Sequence, residues 1–200
     1  MIVLLGGKKK SGKSEVSLIL KNKGYSVLSF AGKLKRSLAN ASNISEKDFY
    51  DNKKKEVLFD CELNTQSFMS YVYVDFKVSV ENRILNTRPV TSIRDMMQYV
   101  GTDVLRSIED QIHIRFFLEE IKNTIGNIVI DDGRFLNELQ AVKNEFPTDT
   151  ISIYLNSNKN IKTDSHLSEN AVSEKDFDFV IDNDSTIANL KEKVFNLIEL

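Results

Sequence analysis

The segment that most restricts how this chain can fold is residues 7–14, which read GKKKSGKS. They match G-x-x-x-x-G-K-S/T at every fixed position, a pattern typical of a glycine-rich loop that binds phosphate groups. The apolar run at residues 2–5 predicts a buried parallel strand before the loop. The apolar positions within residues 15–23 predict a helix after it, and Gly24 suits the left-handed position beyond the helix end. Strand, loop and helix in this order predict a P-loop that binds a nucleoside triphosphate.

The residue types of the loop explain this prediction. Gly7 and Gly12 let the backbone come close to phosphate oxygens, so that N–H groups point at them beside the positive end of a helix. Lys13 is expected to reach the β- and γ-phosphates, and the Ser14 hydroxyl is expected to hold Mg²⁺. The alternative is a lysine-rich surface turn that matches the pattern by chance. The loop residues assigned to the nucleotide are Gly7, Lys8, Lys9, Lys10, Ser11, Gly12, Lys13 and Ser14.

Composition limits the class of protein and of partner. A chain of 200 residues with 41% hydrophobic residues can bury one substantial core. Residues 1–55 hold 13 basic and 4 acidic side chains, whereas residues 164–200 hold 3 and 9. Because the basic excess surrounds the loop, we favour small phosphorylated ligands over nucleic acid. With Cys61 as the only cysteine, no secretory signal and no long apolar run, we expect a soluble cytoplasmic protein that does not enter a membrane.

Strands that alternate with helices predict an α/β fold with a parallel sheet flanked on both faces. The four later strands are predicted at residues 25–30, 127–132, 150–155 and 177–181. Residues 70–80 have strand composition and predict a β-hairpin. A helix is predicted at residues 92–100, ended by Gly101, and a longer one at residues 102–124. Residues 156–175 are polar without hydrophobic period, which predicts a mobile loop or lid.

A carboxylate and several arginines are further candidates for the site. Asp132 is the last residue of the strand predicted at residues 127–132, at the edge where open α/β sheets bind ligands, and it can hold Mg²⁺ directly or through water. The alternatives are the neighbouring Asp131, or a helix-capping role for Asp132. Arg94 and Gln98 are spaced to share one helix face and could grip a phosphate and a base edge, or could lie on a solvated surface.

Further motifs follow one another along the chain: FAGKLK at residues 30–35, SIRDMMQYVGTDVLR at 92–106, DGRFLNE at 132–138 and HLSE at 166–169. Their pattern resembles the phage deoxynucleoside monophosphate kinases, which combine a P-loop with F-A-x-x-L-K, R-x-x-x-Q-x-x-G-T-D, D-x-R-F-x-N-E and H-x-S-E. The sequence VIDN at residues 180–183 is similar to the strand and turn beside the adenine in related kinases. The resemblance covers most of the chain except residues 45–85.

This resemblance implies a single P-loop kinase domain with three layers and a five-stranded parallel sheet. The core would comprise residues 1–32, 101–155 and 176–200, with an acceptor-binding region at about 33–100 and a lid at about 156–175. It also implies transfer of the ATP γ-phosphoryl group, with Mg²⁺, to a deoxynucleoside monophosphate (dNMP), giving ADP and a dNDP. Whether the chain forms a homodimer is left open.

The resemblance also implies roles for individual residues. Asp132, preferred for this reason over Asp131, would assist Mg²⁺ together with Ser14, and Asn183 would contact ATP. Arg134 would hold the acceptor phosphate. The implied catalytic residues are Lys13, Arg106, Asp132 and Arg134. The implied dNMP-binding residues are Lys35, Arg88, Arg94, Gln98, Arg106 and Arg134.

The sequence departs from the family pattern in one respect, and two alternative functions stay open. Residues 156–175 contain no arginine, although the lids of many such kinases supply arginines to the transferred group. Lys159 and Lys162, or the loop lysines 8–10, are the candidates to replace them. One alternative is a kinase of another small phosphorylated acceptor, of the dephospho-coenzyme A or phosphomevalonate type, but this leaves the R-x-x-x-Q-x-x-G-T-D segment unexplained. The other is an NTP-dependent nucleic-acid-binding protein, suggested by the basic first half of the chain.

Overall fold

The computed structural model describes residues 1–8, 10–59, 65–83, 88–157 and 172–198. The chain divides into two compact units. Unit 1 is Met1–Phe30 with Phe117–Leu200, and unit 2 is Ala31–Phe116. Among the described residues, none of the helices has both the length and the apolar character that crossing a membrane requires.

Unit 1 contains a parallel sheet. Its strands are β1 Ile2–Gly6, β2 Ser26–Leu28, β3 Ile128–Ile130, β4 Thr150–Asn156 and β5 Phe179–Asp182. They form a five-stranded sheet in the order β2-β3-β1-β4-β5. In the central strand β1, Leu4 is level with Ile130 on one side and with Ser152 on the other. Every residue of β1 is buried, as its continuous apolar sequence predicts. The predicted α/β fold with a five-stranded parallel sheet is therefore confirmed.

The helices are α1 Lys13–Lys21, α2 Gly32–Ser42, α3 Thr65–Asp75, α4 Ile93–Gln98, α5 Ile112–Lys122, α6 Leu136–Glu145 and α7 Ile187–Ile198. A π-helix, Tyr99–Arg106, follows α4 directly. Short 3₁₀ helices span Glu46–Phe49, Lys54–Glu56, Val80–Asn82 and Glu174–Asp176. In unit 1, α1 and α7 pack on the sheet through apolar residues four apart, as an amphipathic helix requires. These residues are Val16, Leu20, Leu190, Val194 and Ile198.

The predicted β-hairpin at residues 70–80 is wrong, because most of that segment belongs to α3. Met69, Val72, Tyr73 and Phe76 are all buried, and their spacing of three and four residues places them on one helix face. They join the apolar core of unit 2. The prediction rested on β-branched and aromatic composition, and packing of this helical stripe outweighs that weak preference.

The helix boundaries predicted around Gly101 are also wrong. Ser92 does cap α4, since its Oγ accepts a hydrogen bond of 3.1 Å from the Asp95 N–H. The helix then continues through Gly101 as the π-helix to Arg106, and α5 begins only at Ile112. Of the predicted lid, residues 158–171 lie outside the described residues, and so do Lys9 and Cys61.

Candidate active site

The predicted phosphate-binding loop connects β1 to α1 in unit 1. Gly7 and Gly12 have φ angles of 130° and 108°, and Lys10 between them has a φ of 63°. A Cβ atom built on Gly7 would lie 2.4 Å from the Leu155 carbonyl oxygen, and one on Gly12 would lie 2.4 Å from the Asn183 Nδ2. Both positions therefore favour glycine for their left-handed backbone, and Gly7 also because a backbone carbonyl leaves no space for a side chain.

The loop has the features that bind a phosphate. Gly12 is the N-cap of α1 and provides no side-chain hydrogen bond, so the first N–H groups of the helix are not capped by it. The Lys13 ammonium donates hydrogen bonds to the carbonyl oxygens of Gly7 and, at 2.8 Å, of Lys8. Its charge is thereby held against the loop. Ser14 is exposed in the first turn of α1. These residues fit a bound polyphosphate.

Asn183 lies against this loop, in the turn that follows β5. Its Nδ2 donates a hydrogen bond of 2.9 Å to the Ser11 carbonyl oxygen, and its backbone N–H donates one of 2.8 Å to the Asn156 carbonyl oxygen. The side chain therefore links the loop to the ends of β4 and β5. The structure thus brings Asn183 and the loop together, while its contact with ATP remains a prediction.

Asp132 connects the carboxyl ends of β3 and β2. Its Oδ2 accepts a hydrogen bond of 2.5 Å from the Ser29 Oγ, and its Oδ1 accepts one of 2.8 Å from the Phe30 backbone N–H. Ser29 is buried and was not identified from the sequence. Its only signal is a hydroxyl near the end of the strand predicted at residues 25–30, at the edge where the Asp132 strand also ends. Asp132 therefore has a structural function in unit 1, whether or not it also assists a metal.

The metal site predicted at Ser14 and Asp132 has a suitable chemistry. Within the described residues there is no group of three or more His, Cys, Asp or Glu side chains that could hold a metal ion. A Mg²⁺ ion bound with a nucleotide needs only one or two protein ligands, because phosphate and water oxygens complete its shell. A carboxylate oxygen has more than one lone pair, so Asp132 can accept a hydrogen bond from metal-bound water while it keeps Ser29 and Phe30.

The segment DGRFLNE begins α6 in unit 1. The Glu138 Oε2 accepts hydrogen bonds of 2.9 Å from the Arg134 N–H and 3.1 Å from the Phe135 N–H. Glu138 is buried and, as the third residue of the helix, caps the backbone N–H groups that precede it. The acidic residue of this motif therefore holds the backbone of Arg134, which is itself exposed. Sequence reasoning missed the capping role, although a glutamate at the third position of a helix is its usual signal.

In unit 2, Arg88 forms a two-pronged pair with Asp95. Its Nη1 and Nη2 lie 3.0 Å and 2.6 Å from the two carboxylate oxygens, and the guanidinium lies 4.5 Å from the Tyr99 ring centroid. The hydrogen bond from Arg88 lowers the pKa of Asp95, and the same bond raises the pKa of Arg88. Arg88 is therefore already bound to a carboxylate in this structure.

The other predicted acceptor residues of unit 2 lie on several elements. Arg94 and Gln98 are both in α4, as predicted, and Arg94 forms an ion pair with Glu56. Arg106 is the last residue of the π-helix. Lys35 is buried in α2, and its ammonium lies 4.2 Å from the ring centroid of Tyr50. Their roles in substrate binding remain predictions.

Comparison with known proteins identifies the family. The family model described as deoxynucleotide monophosphate kinase matches residues 49–194. A protein of Acanthamoeba polyphaga mimivirus, named "Putative deoxynucleotide monophosphate kinase", is 25% identical over 213 aligned residues, which cover 100% of this chain and 96% of that protein. The deoxynucleotide monophosphate kinase of Escherichia phage RB69 is 27% identical over 135 residues, covering 64% of this chain and 54% of that protein.

One solved structure supports the fold. TT1252 from Thermus thermophilus superposes with a TM-score of 0.50 at 13% identity, covering 100% of this chain and 96% of that one. A dephospho-CoA kinase from Campylobacter jejuni gives a TM-score of 0.46 at 15% identity, covering 99% and 95%. The family model spans well over half of the chain. This chain belongs to the deoxynucleotide monophosphate kinase family and is a kinase.

Proposed function

We propose that the protein transfers the γ-phosphoryl group of ATP to the 5′-phosphate of a 2′-deoxynucleoside monophosphate, giving ADP and a dNDP. The observation that carries this proposal is the geometry of the loop at residues 7–14, in a chain of this family. Two glycines hold the loop in left-handed backbone, and Lys13 lies across its carbonyl oxygens. A loop of this kind binds the β- and γ-phosphates of a nucleotide.

On the donor side, four residues have separate tasks. Lys13 exchanges its contacts with the Gly7 and Lys8 carbonyl oxygens for contacts with phosphate oxygens, so its charge is already in place before the nucleotide binds. Asn183 holds the loop through the Ser11 carbonyl oxygen. Ser14 and Asp132 would hold Mg²⁺, which supplies charge neutralisation on the phosphates when bound. No general base is required, because positioning and charge neutralisation account for most of the catalysis of phosphoryl transfer.

On the acceptor side, arginine is the residue best suited to bind the phosphate of a dNMP. We assign this role to Arg134, whose backbone is held by Glu138, and to Arg94 and Arg106. Arg94 must leave Glu56 to bind substrate. The two side chains are 42% and 59% exposed, and exposed pairs of this kind stabilise a protein by only about 0–1 kcal/mol. Releasing Glu56 therefore costs little.

Arg88 is less readily available than Arg94. Its pair with Asp95 has two hydrogen bonds, and Asp95 accepts a further bond of 2.9 Å from the Thr91 N–H. Its guanidinium also stacks on Tyr99. We therefore propose that Arg88 maintains the shape of the acceptor site, and that Arg94 and Gln98 contact the dNMP directly. Lys35, held beside Tyr50, would add positive charge on the same side.

The direct test is formation of ADP from ATP and Mg²⁺, with dAMP, dGMP, dCMP and dTMP offered singly beside the four ribonucleoside monophosphates and dephospho-coenzyme A. A Lys13→Ala variant purified in the same way controls for contaminating kinases. Turnover with at least one deoxy acceptor, absent from the variant, is the expected result. If the protein binds ATP but turns over only dephospho-coenzyme A, or none of these acceptors, the proposed reaction is wrong.

A further inference from the structure

The π-helix Tyr99–Arg106 is an unusual feature of unit 2. Most π-helical segments are single turns inserted into α-helices, frequently at functional sites, whereas this one extends over eight residues. It coincides with the G-T-D part of the R-x-x-x-Q-x-x-G-T-D segment and ends at Arg106. A helix with such poor intrinsic geometry needs neighbours that hold it.

The first of these neighbours is Leu34 in α2, which packs directly on Gly101. A Cβ atom built on Gly101 would lie 2.6 Å from the Leu34 Cδ2. Gly101 is not among the residues with positive φ, so the close approach of Leu34, and not the backbone conformation, favours glycine here. Two of the sequence motifs therefore meet at this point, since Leu34 belongs to FAGKLK and Gly101 to the G-T-D segment.

The second neighbour is His113, near the start of α5. Its Nε2 lies 2.9 Å from the Gly101 carbonyl oxygen, and the residue is only 7% exposed. Because a carbonyl oxygen can only accept, the His113 Nε2 must carry the hydrogen. The imidazole ring also meets the Phe76 ring edge-on, with centroids 5.9 Å apart. Both packing and a buried hydrogen bond therefore fix His113 against the π-helix.

We propose that His113 is a positioning residue for acceptor binding, which holds the π-helical register through the Gly101 carbonyl and thereby orients Arg106. An i→i+5 turn contains roughly one residue more than an α-helical turn. If the same eight residues formed an α-helix, the direction of the Arg106 side chain around the helix axis would therefore change by on the order of half a turn. The inference rests on the proposed function, because it assumes that Arg106 binds the dNMP. None of the sequence motifs named above includes His113.

The test compares three variants in steady-state kinetics. His113→Phe keeps an aromatic ring against Phe76 and removes the N–H donor, whereas His113→Gln keeps a donor. Phe116→Leu is the matched control, because the Phe116 ring is equally buried and packs on Phe76 with centroids 5.3 Å apart. We expect H113F to raise the KM for dNMP on the order of 10- to 100-fold, with the KM for ATP unchanged. H113Q should restore most of the affinity, and F116L should lower Tm without changing either KM.

A double-mutant cycle with Arg106→Ala shows whether His113 acts through Arg106. If it does, H113F adds little to the KM for dNMP once Arg106 is absent. An unchanged KM for dNMP in H113F, or an equal increase in F116L, overturns the proposal. So does full additivity with R106A. Should H113F not fold, His113→Asn, whose donor falls short of Gly101, takes its place.

A crystal structure of H113F decides the same question without turnover. An α-helical register at Tyr99–Arg106 supports the proposal, and an unchanged π-helix overturns it. The crystal structure thus tests the role of His113 separately from the proposed function. A wild-type protein that turns over no dNMP refutes the proposed function, whereas the register of the variant tests the role of His113 by itself.

Discussion

The substitution Asp132→Asn separates a metal-binding role of this residue from a structural one. The carboxylate accepts hydrogen bonds from the Ser29 Oγ and the Phe30 N–H at 2.5 Å and 2.8 Å. Hydrogen bonds to a charged group contribute about 1.5–3 kcal/mol each. The amide keeps one acceptor oxygen but loses the charge, so we expect a loss of about 1.5–3 kcal/mol in the free energy of unfolding. For a chain of this size, that lowers Tm by roughly 3–12 °C.

The control is Ser29→Ala, which removes one partner and leaves the carboxylate intact. Water can replace the Ser29 hydroxyl at a half-exposed carboxylate, so we expect a loss of about 1 kcal/mol and nearly unchanged kcat. Asp132→Asn should in addition lower kcat on the order of 100-fold and raise the Mg²⁺ concentration needed for half-maximal rate. Asp131→Asn, the neighbouring carboxylate, should leave the Mg²⁺ dependence unchanged.

The assay is the coupled measurement of ADP formation over a Mg²⁺ titration, together with urea unfolding of each variant. If D132N loses stability but keeps the kcat and Mg²⁺ dependence of S29A, Asp132 only joins the ends of β2 and β3. If D131N and not D132N shifts the Mg²⁺ dependence, the choice between the two aspartates is wrong.

Three further outcomes follow from the described contacts. Gly7→Ala should abolish binding of a fluorescent ATP analogue, because its Cβ would lie 2.4 Å from a backbone carbonyl oxygen, and retained binding would contradict the loop geometry. Phe76→Ala should destabilise the protein by about 3–5 kcal/mol in urea, whereas exposed Val74→Ala should stay within about 0.5 kcal/mol; equal effects would contradict the helical stripe of α3. Arg88 lowers the pKa of Asp95 below the ordinary carboxyl value of 3.8. Their ion pair therefore stabilises the protein fully above pH 3.8, and this stabilisation is lost as the pH falls through the lowered pKa of Asp95 in the folded protein. Urea unfolding of Asp95→Asn across this range should show a smaller loss of stability at low pH than the wild type, and an equal loss would show that the pair contributes nothing.

The sequence alone determined those features that depend on neighbouring residues. The loop at residues 7–14, the strand before it and the helix after it are continuous in the chain, so one pattern predicts the local backbone. The inner strands β1 and β3 were equally clear, because burial on both faces leaves a continuous hydrophobic run. The prediction that Arg94 and Gln98 lie in one helix is also confirmed, since both belong to α4.

Tertiary structure decided the contacts between distant residues. Ser29 and Asp132 are separated by 103 residues, and no local pattern shows that one hydroxyl meets one carboxylate. The same holds for Leu34, Gly101 and His113, which meet only after α2, the π-helix and α5 have packed. In α3, side-chain packing outweighed the β-forming composition that misled the sequence prediction. Local preferences are worth a few tenths of a kcal/mol per residue, whereas burying a large apolar side chain is worth about 1.5–3 kcal/mol, so packing decides wherever the two conflict.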